Sequence, residues 1–170
     1  RGGSGYVIGV DEVAGILHQI AVTYPDAVSV RCGGSSFYAH EYDYDLASGS
    51  TLRRLILAPW VLGSLARRHH LFIYVGASGF VAADRGREGE FAFLKDRGCN
   101  IICIFTGSDI RSPALMDEFG RSAGRDVMTT YLPYLSQGVD PERREVAKRR
   151  VASVADRFAD IIINPPVDQI

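Results

Sequence analysis

Residues 100–111 read NIICIFTGSDIR, and they decide the predicted fold. The run is apolar and rich in β-branched side chains through Phe105, and it then changes abruptly to Thr-Gly-Ser-Asp. A strand that is apolar on both faces is typical of the middle of a parallel sheet, with helices above and below it. The polar turn would then lie at the carboxyl end of this strand, which is the edge where open parallel sheets bind ligands.

The turn after this strand has the residue types of a ligand site. Gly107 allows a close backbone approach, and Ser108 and Asp109 can cap a helix or bind a hydroxyl group. Arg111 offers a planar set of donors to a phosphate or a carboxylate. A plain helix start explains Gly-Ser-Asp equally well, and Arg111 could instead pair with Asp117 on the surface. On these residues alone, both interpretations stay open.

Strand and helix patterns alternate on both sides of this stretch. The sequence predicts further strands at residues 6–10, 27–32, 71–75 and 160–164, and helices at residues 16–24, 51–69, 85–96, 113–119, 126–135 and from Pro141 onward. One long helix from Tyr6 is an alternative to the first strand and helix, but Gly9 and Gly15 would each cost it about 1 kcal/mol. We therefore predict an α/β fold with a doubly wound, mostly parallel sheet in three layers.

Composition limits the functional classes. The 170 residues carry 19 basic and 20 acidic side chains, so the overall charge favours neither nucleic acid nor an anionic membrane as a bulk partner. Three cysteines form no metal or redox motif and suit a reducing cytoplasm. No signal peptide and no membrane-spanning run is recognised. Residues 55–65 are hydrophobic and predict a buried or surface-docked helix.

Three pieces of sequence, in this order, resemble one family. They are DEVAG at residues 11–15, FTGSDIR at residues 105–111 and ADIIIN at residues 159–164. They look like the amino-terminal lobe of GT-B glycosyltransferases, in particular the family 4 type of bacterial surface-polysaccharide assembly. In that family two Rossmann-like lobes face each other across a cleft. The first lobe mainly holds the acceptor, and the second holds the nucleotide sugar.

The resemblance implies a site made of residues from several strand ends. It places Ala14 and Gly15 beside the donor phosphates and Gly107 near the transferred sugar. The implied catalytic residues are Ser108 and Asp109, and the implied substrate-binding residues are Ala14, Gly15, Thr106, Gly107 and Arg111. Ser78 is a further predicted substrate-binding residue, because it lies in the small-residue turn after the strand at residues 71–75; a plain tight turn is the alternative there. Relatives often have His where Thr106 stands. Helix ends and basic groups, with no metal and no cofactor, would stabilise the leaving diphosphate of the nucleotide-sugar co-substrate.

The same resemblance divides the chain and suggests its partners. From it we expect residues 6–166 to be a single Rossmann-like domain and residues 167–170 the start of a linker to a second lobe that the chain lacks. Residues 1–5, RGGSG, are expected from their own composition to be a flexible start or tag remnant. The predicted function is a cytoplasmic transferase that moves a sugar to a saccharide or lipid-linked acceptor, with peripheral membrane contact and no nucleic acid. The alternative is a non-catalytic Rossmann-like binding or interaction module, which Thr106 and the missing lobe favour.

Several further polar groups have simple structural interpretations. Asp43 and Asp45 have the Asp-x-Asp spacing of a divalent-metal site, but a solvated acidic loop is the expectation. Glu88 and Glu90 are expected to be an exposed helix start, favoured by the helix dipole. The basic residues between 143 and 150 predict a solvated helix face, with contact to anionic lipid as the alternative.

Overall fold

A computed structural model describes residues 5–9, 16–33, 41–81, 87–106, 110, 112–124 and 141–164. Six strands form one sheet in the order β3-β2-β1-β4-β5-β6, and every neighbouring pair is parallel. The strands are β1 Gly5–Gly9, β2 Val28–Arg31, β3 Tyr44–Asp45, β4 His69–Val75, β5 Asn100–Ile104 and β6 Ile161–Ile163. The helices are α1 Ile16–Thr23, α2 Thr51–Leu65, α3 Glu88–Lys95, α4 Pro113–Ser122 and α5 Pro141–Phe158.

The sheet is covered by helices on both faces. On one face, Ile16 and Ile20 of α1 pack against Val75 of β4. On the other face, buried residues of α2, α3 and α5 form the main core with Phe72 and Tyr74 of β4. This split follows from right-handed crossovers, because the chain winds one way from β1 to β3 and the other way from β4 to β6. The predicted doubly wound, Rossmann-like, three-layer fold is confirmed.

The start of the chain settles one alternative, and β5 corrects one expectation. Gly5–Gly9 is a strand followed by α1, so the single long helix from Tyr6 is wrong. β5 has neighbours on both sides, but the middle pair of the sheet is β1 and β4. Ile101 and Cys103 are buried, whereas Ile102 and Ile104 are only half-buried. The NIICI strand therefore lies one position from the edge, and one of its faces is less covered than the sequence predicts.

The long segment after β2 contains the edge strand β3, which the sequence did not predict. Asp45 binds Arg31 through two contacts, Nε to Oδ1 at 3.0 Å and Nη2 to Oδ2 at 2.6 Å. The Asp43 carboxylate accepts hydrogen bonds from the backbone N–H and the hydroxyl of Ser29, at 2.7 and 2.8 Å. Both carboxylates of the Asp-x-Asp motif thus fasten β3 to β2, and a solvated loop is the wrong description.

Helix ends account for most of the remaining differences from the predicted boundaries. Ser50, one residue before the predicted cap Thr51, is the N-cap of α2, because its hydroxyl accepts from Arg53 N–H at 3.3 Å. Ser112 caps α4 in the same way, and Pro113 lies in the first turn. The predicted helix at residues 126–135 lies outside the described residues. Among the helices described, none is long and apolar enough to span a bilayer.

Candidate functional site

The strand order reverses at the carboxyl ends of β1 and β4. From β1 the chain continues to β2 on one side, whereas β4 leads to β5 on the other. Open α/β sheets bind ligands at such a reversal, since the loops there diverge to opposite faces. Residues 76–81 follow β4 at this position. Ser78 Oγ lies 3.1 Å from the position that a Cβ would take on Gly33, so the loops after β2 and β4 meet.

Two of the predicted site residues can be placed at this edge. Ser78 is half-buried in the loop after β4, and Thr106 is half-buried two residues past the end of β5. The N–H of Gly76 donates to the carbonyl of Ile104 at 2.9 Å and ties the starts of the two loops together. The other six predicted site residues lie outside the described residues: Ala14, Gly15, Gly107, Ser108, Asp109 and Arg111.

The buried side chain of Arg87 anchors the loop after β4. It is 1% exposed, and its Nη1 donates to the carbonyls of Gly76 and Ser78 at 3.1 and 3.3 Å. Its guanidinium carbon lies 5.2 Å from the ring centre of Tyr74 and 4.9 Å from that of Phe91. A cation held between two aromatic faces and two carbonyls is fixed in position. This arginine, which the sequence did not single out, is therefore a structural centre of the candidate site.

The backbone of Arg87 is strained, and its guanidinium is incompletely paired. Its φ is 70°, the left-handed region, and it is the only non-glycine residue with a positive φ in the part of the chain that the structure describes. Such strain tends to cluster at functional sites. The buried Nε and Nη2 have no hydrogen-bond acceptor among the described atoms. The chemistry they can offer is donation to an oxygen of a water or a ligand.

Glu90 binds the other end of the loop and corrects the expectation of an exposed helix start. It is 4% exposed and accepts from the Tyr74 hydroxyl at 2.5 Å and from Val81 N–H at 3.1 Å. Burial raises the pKa of its carboxyl above the ordinary 4.5, against the opposing effects of Tyr74, the Val81 and Phe80 amides and the Arg87 charge. Its role is thus to hold backbone amides in a closed, low-dielectric position.

Arg54 of α2 completes what we call the anchoring cluster, Arg54, Tyr74, Arg87 and Glu90. Its Nη2 donates to the carbonyl of Gly79 at 3.2 Å. Three carbonyls of residues 76–81 therefore accept from arginines, while two amides of the same loop donate to one carboxylate. A loop whose backbone groups are bound in this way keeps a fixed shape before any ligand arrives, which lowers the entropy cost of binding.

Helical spacing was the signal in the sequence that could have found this cluster. Arg87, Glu90, Phe91 and Leu94 are separated by three, one and three residues, which places them on one face at the start of α3. Phe91 and Leu94 are fully buried, and the two charged residues share their environment. A charged pair on the apolar face of a short helix predicts burial, whereas the position at a helix start had favoured exposure to solvent.

The cysteines are poor candidates for nucleophilic chemistry. Burial, and next the nearby Glu90 charge, raise the pKa of the Cys32 thiol well above its ordinary value. Burial also raises the pKa of Cys103 to about 11. All three cysteines of the chain are buried with free thiols. Because the thiolate is the reactive form, these thiols are inert near neutral pH.

A small groove opens beside the cluster. Its volume is about 250 Å³, and it lies between α2 and the end of the loop after β4. Its lining is mostly apolar and consists of Thr51, Arg54, Leu55, Ala58, Pro59, Phe80 and Val81. Arg54 belongs to both the groove and the anchoring cluster. A ligand in this groove would therefore contact residues that hold the loop in place.

The titration of Glu90 gives a measurable pH dependence. A carboxyl with a higher pKa in the folded chain contributes stability below its unfolded value, 4.5, and loses it as the pH rises through the folded value. The free energy of unfolding of the wild type minus that of Glu90→Gln is therefore expected to decrease as the pH rises above about 4.5. Urea denaturation of both proteins across this range checks the sign. A difference that increases with pH would show that the Arg87 charge and the amides prevail over burial.

Neither a metal centre nor a protein family can be assigned to the described residues. Within the described residues, no group of three or more His, Cys, Asp or Glu side chains could hold a metal ion. No protein-family model, no curated protein and no solved structure matches the chain. The arrangement at the carboxyl edge therefore has to be interpreted from its own geometry.

Proposed function

We propose that this chain is the acceptor-side lobe of a GT-B type glycosyltransferase that transfers a sugar from a nucleotide-sugar donor to a saccharide or lipid-linked acceptor. The observation that carries the proposal is the reversal of strand order between β1 and β4, with a pre-shaped loop at residues 76–81 beside it. The motif at residues 105–111 begins directly after β5, and its residue Thr106 lies at the same edge of the sheet. In the proposal, Ser78 and Thr106 contact substrate there.

The proposal gives the remaining predicted residues defined roles. Ser108 and Asp109 act at the transferred sugar, Gly107 and Arg111 line the acceptor side, and Ala14 and Gly15 lie beside the donor phosphates. A second lobe, in the same polypeptide or in a partner chain, binds the nucleotide. No cofactor is required. The three buried free thiols are compatible with the cytoplasmic setting that we propose for the enzyme.

One observation favours the alternative, a non-catalytic Rossmann-like binding module. Within the described residues at this edge, Glu90 is the buried carboxylate, and both of its oxygens accept hydrogen bonds from the protein itself. A carboxylate used in this way holds a loop and is not placed to exchange protons with a substrate. Under this alternative the loop at residues 76–81 contributes to a binding surface only.

Transfer assays with a panel of nucleotide sugars separate the two functions. The protein is assayed alone and together with a candidate second lobe, with saccharide and lipid-linked acceptors, and Asp109→Asn is compared with the wild type. We expect transfer by the wild type with the second lobe present, and loss of most of it in Asp109→Asn. Glu118→Gln, an exposed change on α4, is the matched control and should retain full activity. If no nucleotide sugar is bound or used in either arrangement, the transferase proposal is wrong and the binding module is favoured.

A further inference from the structure

Helix α2 has an apolar face that no described residue covers. Leu52, Leu55, Ile56 and Trp60 are 60–68% exposed, although each is a large hydrophobic side chain. Their spacing is three, one and four residues, so they form one continuous stripe along the first two-thirds of the helix. We call these four residues the exposed α2 face. Single exposed hydrophobic residues are ordinary, but a contiguous stripe of four indicates an interaction surface.

The core of the protein does not account for this stripe. A separate set of α2 residues faces inward: Ala58, Val61, Leu62 and Leu65, each at most 4% exposed. At 100° per residue, the two sets point to nearly opposite sides of the helix axis. One apolar face is enough to attach a helix to a sheet. The second face therefore has no packing role within the described fold.

The charges around the stripe identify its partner. Residues 46–81 contain no Asp or Glu, and they contain four arginines, at positions 53, 54, 67 and 68. Arg53, Arg67 and Arg68 are exposed, and none of them forms an ion pair with a carboxylate that the structure describes. The stripe thus lies between positive charges at both ends of the helix, within a chain whose overall charge is close to zero. This local excess is complementary to an anionic surface.

We propose that the exposed α2 face docks the protein on an anionic lipid bilayer. Trp60 and the aliphatic side chains insert at the level of the headgroups, and Arg53, Arg67 and Arg68 contact lipid phosphates, as in interfacial amphipathic helices. A second copy of the chain is a poorer occupant, because pairing two such faces brings like charges together without any acidic residue to offset them. If the partner were an acidic protein, anionic vesicles would leave the Trp60 emission unchanged.

Docking in this way has a defined orientation. α2 follows β3 and returns the chain to β4, so its first turns lie at the carboxyl edge of the sheet, close to the candidate site. Leu55 belongs both to the exposed α2 face and to the groove that ends at Val81. A bilayer bound here would therefore lie along the outer side of α2, with the first turns of the helix next to the carboxyl edge. This inference stands independently of the proposed transferase activity.

The single tryptophan of the chain makes the test direct. Trp60 is the only Trp and is 63% exposed, so its fluorescence reports on this surface alone. Vesicles of phosphatidylcholine with phosphatidylglycerol should shift its emission to shorter wavelength, and brominated lipid should quench it. Leu55→Gln/Ile56→Gln is expected to weaken vesicle binding at least about tenfold. Each of Arg53→Gln and Arg67→Gln should weaken binding about fivefold, and added salt should do the same.

Matched controls distinguish lipid docking from a damaged fold and from self-association. Val146→Gln changes a residue on α5 that is 61% exposed, and it should leave vesicle binding unchanged. Circular dichroism confirms that the exposed substitutions leave the fold intact. Absence of any shift with anionic vesicles overturns the proposal, as does equal binding to pure phosphatidylcholine. A blue shift that appears without lipid as the protein concentration rises, together with a dimer in sedimentation, assigns the surface to a second copy instead.

Discussion

Replacing Arg87 with methionine is expected to lower the free energy of unfolding by about 3–5 kcal/mol at about pH 8. The side chain is 1% exposed, so its replacement leaves the carbonyls of Gly76 and Ser78 without their donor. It also removes the positive charge that lowers the pKa of Glu90, so an ionised Glu90 loses a buried counter-charge. Methionine fills a similar space between Tyr74 and Phe91 and keeps the loss of packing small. Urea denaturation measures the effect.

The pH at which Arg87→Met is measured tests its cause. The loss should become smaller as the pH is lowered, because protonation of Glu90 removes the negative charge that Arg87 offsets. The double variant Arg87→Met/Glu90→Gln should lose less unfolding free energy than the sum of the losses in the two single variants. Arg97→Met is the control, since Arg97 is exposed and lies over the Phe93 ring, and it should cost less than about 1 kcal/mol. Equal losses in the two arginine variants would falsify the anchoring role of Arg87.

The overall fold could be predicted from the sequence because it depends on pattern. Apolar runs at β4 and β5, capping residues before α2 and α4, and the stripe on α5 each specify an element locally. The alternation of strand and helix then specifies a parallel, doubly wound sheet. The order of the strands was harder to predict from the sequence. The two-residue strand β3 has no run of its own and exists because Arg31 and Ser29 bind the carboxylates of Asp45 and Asp43.

The candidate site was harder to predict, for a different physical reason. Gly, Ser and Asp after a strand are visible in sequence, and they predict that the turn at residues 106–111 and the loop at residues 76–79 lie at the carboxyl edge. Residues 76–79 and Thr106 do lie there, whereas residues 107–109 and 111 are outside the described residues. Glu90 was expected to be exposed because charged residues at a helix start usually are, and Arg87 was not singled out at all. Their burial depends on contacts with Tyr74 of β4 and Gly79 of the following loop. These residues lie outside α3 and carry no charge, so the pattern of α3 alone does not indicate the contacts. Such long-range desolvation leaves only a weak trace in the local pattern.

Two adjacent arginines of α2, Arg53 and Arg54, have different roles. Arg54 turns inward and directs its charge to the carbonyl of Gly79, whereas Arg53 is exposed at the rim of the apolar stripe. They are adjacent in sequence and point about 100° apart on the helix. A substitution at Arg54 should therefore affect the loop after β4, while one at Arg53 should affect vesicle binding alone. One helix thus contributes to both the candidate site and the proposed docking surface, through different side chains.

Gly79→Ala is expected to destabilise the fold by about 1–3 kcal/mol through crowding of the anchoring cluster. A Cβ on Gly79 would lie 2.8 Å from both Arg87 Cγ and Glu90 Oε2, and 3.0 Å from Arg87 Cδ. Neither partner can move freely, because Arg87 is held between two rings and Glu90 accepts from Tyr74 and Val81. The loop has to shift, and the contact between Gly79 and Arg54 should be lost with it. Thermal and urea denaturation measure the loss.

Gly89→Ala provides the matched control ten residues further along the chain. Gly89 lies in the first turn of α3, and a Cβ there would meet nothing within 4 Å. Alanine is the better helix former, so this change should raise stability by about 0.5–1 kcal/mol. The same chemical change at two glycines near Arg87 is thus expected to have opposite signs, because only Gly79 is pressed against the buried charges. If both variants are stabilised, residues 76–81 can yield without cost, and the pre-shaped loop on which the proposed site depends does not exist.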